Sequence, residues 1–340
     1  MSLANTVVSN GHSTPAPLLG VEHLTTVFRL SSGVDAKAVD DVSFTIAPAE
    51  TLGLVGESGS GKSVTALSIM RLVVPPGRVA AGRIVFEGRD VTGLDEQGMR
   101  QLRGRRIGFI FQEPMVALDP VYTIGAHIEE ALAVHGLARG GAARRRVLEL
   151  LEAVRIPDPS RRAGEYPHQL SGGLRQRAMI AIAIAANPAL VIADEPTTAL
   201  DATVQAEILD LLREMRRTFN LALLLITHDL GVVAEMADRV AVMYGGRIVE
   251  QAPAATLFAA PAHPYTRALL ASIPGTQPGA RLQAIPGNVP SIGTMPEGCA
   301  FAPRCPHRFD ACVVSPPMVD VGPAHDARCY LPAGVPEHSG

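Results

Sequence analysis

The 340-residue sequence lacks any apolar run long enough to cross a membrane. Its longest apolar runs, residues 178–186 and 221–226, fall far short of the roughly 18 to 20 residues that a span needs. The N-terminus has neither the basic start nor the apolar block of a secretory signal, so we expect the chain to stay in the cytosol. A basic excess is also missing: the formal charge is −3 and the arginine runs are short, which argues against nucleic acid as a partner.

Cysteine is absent from the first 298 residues, and all four cysteines lie in the last 42. Disulfides are disfavoured in the cytosol, which leaves a metal site or unligated thiols. The intervening segments of 5, 6 and 16 residues do not include the closely paired cysteines of the usual zinc knuckle. Four thiolates could hold either Zn²⁺ or an iron–sulfur cluster, with these as the candidate ligands: Cys299, Cys305, Cys312 and Cys329.

Composition and length indicate a folded chain with an appendage. Charged residues make up 19% and hydrophobic residues 47% of the sequence, a balance typical of a soluble protein with a sizeable core. The length suits one large domain plus an appendage, or two domains. Residues 1–16 are rich in Ser, Asn, Thr and Pro, and we predict that they form a disordered tail.

The sequence GESGSGKS, residues 56–63, predicts a phosphate-binding loop. It lies between an apolar run, 51–55, that predicts a buried strand and an alternating pattern, 64–72, that predicts a helix. Such a turn points successive backbone N–H groups at an anion, and the helix dipole adds to their field. Lys62 would reach the outer phosphates of a nucleotide, and the Ser63 hydroxyl would bind Mg²⁺. All eight residues of this phosphate loop are candidate ligands of ATP and Mg²⁺: Gly56, Glu57, Ser58, Gly59, Ser60, Gly61, Lys62 and Ser63.

Two residues outside the phosphate loop are further candidates because of their position in predicted strands. Gln112 follows the apolar strand predicted at 107–111, and open α/β sheets bind ligands at the carboxyl ends of their strands. The Gln112 side chain would reach Mg²⁺ or the attacking water. Alternatively, Gln112 only forms a hydrogen bond that ends the strand. Phe28 closes a predicted strand upstream of the loop, where an aromatic ring can stack on adenine or pack in the core.

A second anion-binding helix start lies near the end of the helical stretch predicted at 123–187. Ser171 is a good N-cap, and the two glycines after it leave the first amides of a helix bare. The segment LSGGLRQ, residues 170–176, resembles the signature of the ATP-binding cassette (ABC) ATPases. In that family two cassettes meet head to tail, so the resemblance implies that four residues of this signature segment contact the partner cassette's ATP: Ser171, Gly172, Gly173 and Gln176. Leu174 departs from the family's usual Met, without an expected consequence.

The segment LVIADEP, residues 190–196, resembles the family's Walker B strand. The resemblance implies that Asp194 holds Mg²⁺ through its water shell and that Glu195 is the general base for the attacking water. His228, at the end of an apolar run, matches the switch histidine that contacts the γ-phosphate. The implied fold is an α/β P-loop cassette with an antiparallel β subdomain and a helical subdomain at about 113–187.

The residues after the cassette carry a further resemblance. HPYTRALLASIP, residues 263–274, and GCAFAPRCPHRFDAC, residues 298–312, are similar to the C-terminal extension of the dipeptide and oligopeptide importer ATPases. The resemblance implies a cassette at 17–260, a C-terminal extension at 261–335 and an ATP hydrolase that energises peptide import through ATP-driven pairing of two cassettes. An alternative within the same family is an importer of nickel or another small solute. The alternative from another class of protein is a soluble ABC ATPase that acts in DNA repair or translation.

The same resemblance implies partners and a location. The chain would lie at the cytoplasmic face of the inner membrane, bound to two transmembrane permease subunits and paired with a related but different cassette. An extracytoplasmic binding protein would deliver the cargo. Some members of this subfamily carry a [4Fe-4S] cluster on a similar cysteine set, so the resemblance favours that cluster over Zn²⁺ or free thiols.

Overall fold

The computed structural model of the chain describes residues 16–272 and 285–331. The tail predicted at 1–16, apart from its last residue, and the end of the C-terminal extension lie outside the described residues. The strands within these ranges are β1 (Leu19–Arg29), β2 (Asp35–Ile46), β3 (Thr51–Val55), β4 (Gly77–Phe86), β5 (Arg89–Asp90), β6 (Ile107–Ile110), β7 (Leu190–Asp194), β8 (Ala222–Thr227), β9 (Arg239–Tyr244), β10 (Arg247–Pro253), β11 (Val319–Gly322) and β12 (His325–Ala327).

The larger sheet has the strand order β11-β12-β10-β9-β3-β8-β7-β6. Its central strands β9, β3, β8, β7 and β6 run parallel, and β10, β12 and β11 add antiparallel pairs at one edge. Every residue of β3, β7 and β8 is buried, as expected of apolar parallel strands covered on both faces. The carboxyl ends of β3, β6, β7 and β8 therefore meet at one edge of this sheet.

The smaller sheet is antiparallel, in the order β2-β1-β4-β5. Leu19 of β1 lies opposite Ile46 on one side and Phe86 on the other. These three side chains belong to a buried apolar cluster that also contains Leu52 and Leu54 of β3. The two sheets consequently share a core beside the phosphate loop, as the predicted antiparallel subdomain requires.

The helices in the described residues cover the sheets and form a layer of their own. They are α1 (Lys62–Ile69), α2 (Glu96–Leu102), α3 (Pro114–Ala117), α4 (Ile124–Val134), α5 (Gly140–Ala153), α6 (Pro159–Arg162), α7 (Gly172–Ile184), α8 (Ala202–Phe219), α9 (Leu230–Met236), α10 (Ala254–Ala259) and α11 (Pro264–Ala271). One apolar cluster joins α4, α5 and α7 to β6, β7 and β8, which fits the helical subdomain expected from the sequence. Among the described residues no helix is both long enough and apolar enough to cross a bilayer.

The C-terminal extension shares the core of the cassette. Its strand β12 pairs with β10 through Glu250 and Ala327, so the extension lengthens the larger sheet. Three aromatic rings lie together where the extension meets β9. The ring centroids of Tyr244 and Tyr265 are 4.7 Å apart, and that of Phe301 is 5.3 Å from each of them. All three side chains are fully buried, so the extension packs on the cassette directly.

Candidate functional site

The phosphate loop connects β3 to α1, and two of its glycines are required by space and by backbone angle. Gly56 has a φ of +154° and Gly61 a φ of +102°. A Cβ at Gly56 would lie 2.1 Å from the carbonyl oxygen of Met243, and one at Gly61 would lie 2.5 Å from that of Ala38. Glycine at both positions therefore lets the chain turn tightly into a helix start, which is the geometry of an anion site.

Lys62 is the first residue of α1 and its side chain bends back over the phosphate loop. Nζ donates to the carbonyl oxygens of Gly56 at 2.8 Å and Glu57 at 3.0 Å. Burial lowers the pKa of Lys62, and the negative charges of Glu195, Asp194 and Glu57 act in the opposite direction. The ammonium group lies inside the loop, where it can bind a phosphate.

Ser63 and Asp194 bring two oxygen ligands together beside Lys62. The Ser63 hydroxyl donates to Oδ1 of Asp194 at 3.0 Å, across the 131 residues that separate them in the chain. Burial raises the pKa of Asp194; the nearby Glu195 charge adds to this effect, whereas the Ser63 hydrogen bond and Lys62 oppose it. Hard oxygen ligands of this kind suit Mg²⁺, which usually takes one or two carboxylates together with phosphate oxygens.

Glu195 lies at the centre of a polar cluster at the carboxyl ends of the strands. Its Oε2 accepts hydrogen bonds from the Gln112 amide at 3.2 Å and from the Thr198 hydroxyl at 2.7 Å. Its Oε1 lies 3.3 Å from Nδ1 of His228. Glu195 has a left-handed φ of +47°, an uncommon conformation for a residue with a side chain. The structure thus brings together Gln112, Asp194, Glu195 and His228, which were predicted separately.

A cavity of about 660 Å³ opens over this cluster. Its lining combines residues 56–58 of the phosphate loop and the cluster residues Gln112, Glu195 and His228 with Leu269 and residues 287–289 of the C-terminal extension. The sequence did not predict that the extension reaches the site. Among the described residues that line this cavity, none belongs to the signature segment.

The signature segment opens α7 away from this cavity. Ser171 is the N-cap residue, and its hydroxyl accepts the Leu174 amide at 3.4 Å. Gly173 packs so closely on α8 that a Cβ there would lie 2.7 Å from Cγ1 of Val204. Gln176 is buried and its side-chain nitrogen lacks a hydrogen-bond partner among the described residues. The second anion-binding helix start, which also includes Gly172, is therefore present but separate from the first.

Phe28 lies at the end of β1, paired with Gly77 of β4. A Cβ at Gly77 would lie 2.6 Å from the Phe28 ring and 2.7 Å from the Val73 side chain, so the ring packs against this part of the smaller sheet. The stacking of Phe28 on adenine stays a prediction.

The C-terminal extension holds the phosphate loop through residues that the sequence did not single out. The Glu57 amide donates to the Tyr265 hydroxyl at 2.9 Å, and the Glu57 carboxylate pairs with Arg304. Tyr265 is placed by His263, the N-cap residue of α11, whose Nδ1 accepts the Tyr265 amide at 3.0 Å. Burial raises the pKa of the Tyr265 hydroxyl, which therefore stays protonated. In the sequence, the HPY segment indicated only a family resemblance and did not predict this contact.

The four cysteines form no disulfide in the described structure and are half-buried. The Cys299 amide donates to the Cys312 carbonyl at 3.0 Å, which brings two of them close together. Burial raises the pKa of the Cys305 thiol to about 11, and the other three thiols add smaller effects in the same direction. In the described part of the chain no three or more His, Cys, Asp or Glu side chains are placed to hold a metal ion. The thiol arrangement therefore does not support the predicted [4Fe-4S] cluster or Zn²⁺ site.

The fold and the phosphate loop define a nucleotide-hydrolysing cassette, and comparison with known proteins identifies its family. The ABC transporter family model matches residues 39–198, and the model of the oligopeptide/dipeptide transporter C-terminal region matches residues 249–312. A Brucella ovis protein named "Putative peptide import ATP-binding protein" is 50% identical over 327 residues, covering 92% of this chain and 96% of the relative. A Brucella abortus protein of the same name is 51% identical over 315 residues, covering 92% and 95%.

Solved structures agree with this assignment. A dimeric ATP-binding cassette in a post-hydrolysis state bound to ADP and Pi is 28% identical, with a TM-score of 0.63, and the match covers 69% of this chain and 98% of that one. The cbiO1 subunit of a Clostridium perfringens ABC transporter complex is 28% identical with a TM-score of 0.61, covering 72% and 91%. The chain therefore belongs to the ABC transporter ATP-binding family, in the group that carries the oligopeptide/dipeptide transporter C-terminal region, and it is an ATP hydrolase.

Proposed function

We propose that the chain is the ATP-hydrolysing subunit of an importer of di- and oligopeptides. The observation that carries the proposal is the cluster around Glu195, which shares one cavity with an extension of the oligopeptide/dipeptide transporter type. Relatives named for peptide import, which cover 92% of the chain, support the cargo. In this proposal residues 17–260 form the cassette, with its helical subdomain at about 113–187, and residues 261–335 form the C-terminal extension.

The phosphates of ATP would bind in the phosphate loop, with Lys62 moving from its carbonyl partners to the outer phosphates. Ser63 and Asp194 would hold Mg²⁺, which neutralises phosphate charge when it is bound. The 3.0 Å contact between their oxygens supports this pairing. Phe28 would stack on the adenine.

Glu195 would act as the general base towards the attacking water, because its carboxylate faces the cavity at the end of β7. Three partners orient it: the Gln112 amide and the Thr198 hydroxyl donate to Oε2, and His228 lies beside Oε1. Since Oε2 already accepts two hydrogen bonds, Oε1 is the oxygen better placed to take a proton. His228 would then contact the γ-phosphate from the same side.

Two cassettes would close head to tail over each ATP. The separation of the signature segment from the cavity supports this arrangement, because a second anion-binding helix start has no use within one subunit. Ser171, Gly172, Gly173 and Gln176 of one cassette would thus meet the ATP held by the other. Closure on ATP and opening after hydrolysis would supply the motion that drives transport.

Replacement of Glu195 by Gln tests the catalytic part of the proposal. The variant keeps the hydrogen bonds that orient this side chain but loses the base, so we expect ATP binding to persist and hydrolysis to fall by about 100-fold or more. Size-exclusion chromatography with ATP should show more dimer than for the wild-type chain. Glu235→Gln is the matched control, because that side chain is 71% exposed and lies outside the cavity. Normal hydrolysis by Glu195→Gln would refute the assignment.

Affinity purification from detergent-solubilised membranes tests the transport part. We expect the tagged chain to recover two multi-span permease subunits and a second, related cassette, as expected of a peripheral protein at the cytoplasmic face of the inner membrane. The associated extracytoplasmic binding protein would then be titrated with peptides and with nickel. Recovery of soluble or nucleic-acid-bound partners alone would overturn the transport proposal while leaving the ATPase assignment in place.

Whether the four cysteines bind a metal is a separate question from the proposed ATPase cycle. A [4Fe-4S] cluster or Zn²⁺ at Cys299, Cys305, Cys312 and Cys329 would need the thiols to move from their described positions, since they form no metal-binding group there. No step of the ATPase cycle proposed above uses such a group.

A further inference from the structure

Arg304 of the C-terminal extension forms a two-pronged ion pair with Glu57 of the phosphate loop. Nη1 lies 2.7 Å from Oε2 and Nη2 lies 3.0 Å from Oε1, across 247 residues of sequence. The Arg304 side chain is only 5% exposed and that of Glu57 is 29% exposed. Parallel N–H···O bonds of this kind combine charge with fixed geometry, and their shielding from water makes them stronger than a surface pair.

The guanidinium group is also held by the extension and by β9 of the cassette. Its Nε donates to the Pro286 carbonyl at 2.8 Å and Nη2 to the Ile285 carbonyl at 3.3 Å. Its central carbon lies 5.7 Å from the centroid of the Tyr244 ring. Arg304 therefore ties Ile285 and Pro286 to the phosphate loop, and the residues that follow them, 287–289, help to line the nucleotide cavity.

The charge of Glu57 makes this contact important for the nucleotide. A carboxylate within a loop that holds phosphates repels them, and the repulsion is strong where water is partly excluded. Arg304 supplies a compensating positive charge, while Tyr265 holds the amide of the same residue. Removal of Arg304 alone would leave the Glu57 carboxylate without its ion-pair partner beside the phosphates.

We propose that Arg304 is a positioning residue for ATP binding: its pairing with Glu57 neutralises the phosphate loop's own carboxylate and fixes the loop for the nucleotide. The C-terminal extension thereby sets the affinity of the cassette for ATP. This inference rests on the proposed binding of ATP at the phosphate loop.

The test is a double-mutant cycle on the full-length chain, with binding of a fluorescent ATP analogue measured in the presence of Mg²⁺. We expect Arg304→Gln to raise the Kd for ATP by about tenfold, the size expected for loss of one charged contact. The increase should be smaller for ADP, which carries less charge. Glu57→Gln in the Arg304→Gln background should return the Kd to within about threefold of the wild-type value, because no uncompensated charge remains.

Arg328→Gln is the matched control. Arg328 also anchors the extension, through the Ile248 carbonyl at 3.2 Å and Asp41 at 3.2 Å, but it lies outside the described lining of the cavity. This variant should leave the Kd for ATP unchanged. Melting temperatures of all variants report whether a loss of binding reflects unfolding.

Rescue by Glu57→Gln supports the charge-compensation role, since a purely structural defect of the extension would not be repaired by a second substitution in the loop. An unchanged Kd in Arg304→Gln, or a double variant no better than Arg304→Gln, would overturn the inference. If Arg304→Gln does not fold, Arg304→Lys supplies the answer: it keeps the charge, loses the fork and should bind ATP with a Kd within about threefold of the wild-type value. A Kd raised by about tenfold or more in Arg304→Lys counts against the role of charge. Absence of ATP binding by the wild-type chain would instead refute the proposed function.

Discussion

The buried histidine at the start of α11 predicts a specific loss of stability in acid. His263 is 1% exposed, and burial lowers its pKa to about 3 from the usual 6.5. Its Nδ1 already accepts the Tyr265 amide at 3.0 Å, and the Arg328 backbone hydrogen-bonds to the ring. A second proton would therefore have to occupy Nδ1 and displace the helix cap, so the folded chain holds His263 neutral.

The sign and size of the effect follow from linkage. Because the folded state resists a proton that the unfolded state accepts, the stability contribution is complete above the unfolded pKa of 6.5 and falls as the pH drops from there towards 3. The slope is about 1.4 kcal/mol per pH unit. Between about pH 7.5 and pH 5 the free energy of unfolding should therefore decrease by about 2 kcal/mol from this group alone.

The assay is urea unfolding of the full chain at about pH 7.5 and pH 5, compared with His263→Asn. Asparagine can still cap α11 through its amide oxygen but does not titrate. Other groups contribute equally to both proteins, so the variant should lose about 2 kcal/mol less than the wild-type chain between the two pH values. An equal loss in both proteins would refute the assignment of acid sensitivity to His263.

Two further predictions concern the signature segment and the cysteines. Ser171→Ala removes the N-cap of α7. We expect ATP binding by a single cassette to be unchanged and hydrolysis to fall at least about tenfold. Normal hydrolysis would contradict a contact of Ser171 with the partner's ATP. Cys305→Ser should remove any iron and any absorbance at about 400 nm that anaerobically purified chain carries, if a cluster forms. Wild-type chain without this band, or a variant that keeps it, would end the cluster proposal.

The phosphate loop and the strands around it were predictable because their signals are local. The apolar run 51–55 is β3 with the same bounds, and a helix follows the glycines as predicted. The predicted start of α1 at residue 64 was late by two residues, since Lys62 and Ser63 are polar and apolar periodicity cannot detect them. Because they lie at predicted strand ends, Gln112 and His228 could be expected near Glu195. Their distances from Glu195 could not be predicted, because these depend on the order of the strands in the sheet.

The strands β11 and β12 escaped prediction for a different reason. Residues 319–322 and 325–327 form strands of only four and three residues, which are too short to show a sequence period. Their pairing with β10 depends on a tertiary contact that involves Glu250. This buried carboxylate accepts the amides of Ala262 and His263 and lies 2.8 Å from Nε2 of His325. From the sequence alone, a fully buried acid cannot be distinguished from an ordinary surface residue.

Glu57 illustrates why the C-terminal extension belongs to the nucleotide site. Its amide is held by Tyr265 and its carboxylate by Arg304, whereas its carbonyl accepts from Lys62 and from the Ser60 amide, so only the carbonyl is restrained by the phosphate loop itself. The sequence around Arg304 draws attention to its cysteines, yet in the described structure the arginine beside them makes the contact with the loop. If Arg304 has the role proposed above, a change in the fold of this cysteine segment would alter ATP affinity, because Arg304 links the segment to the phosphate loop.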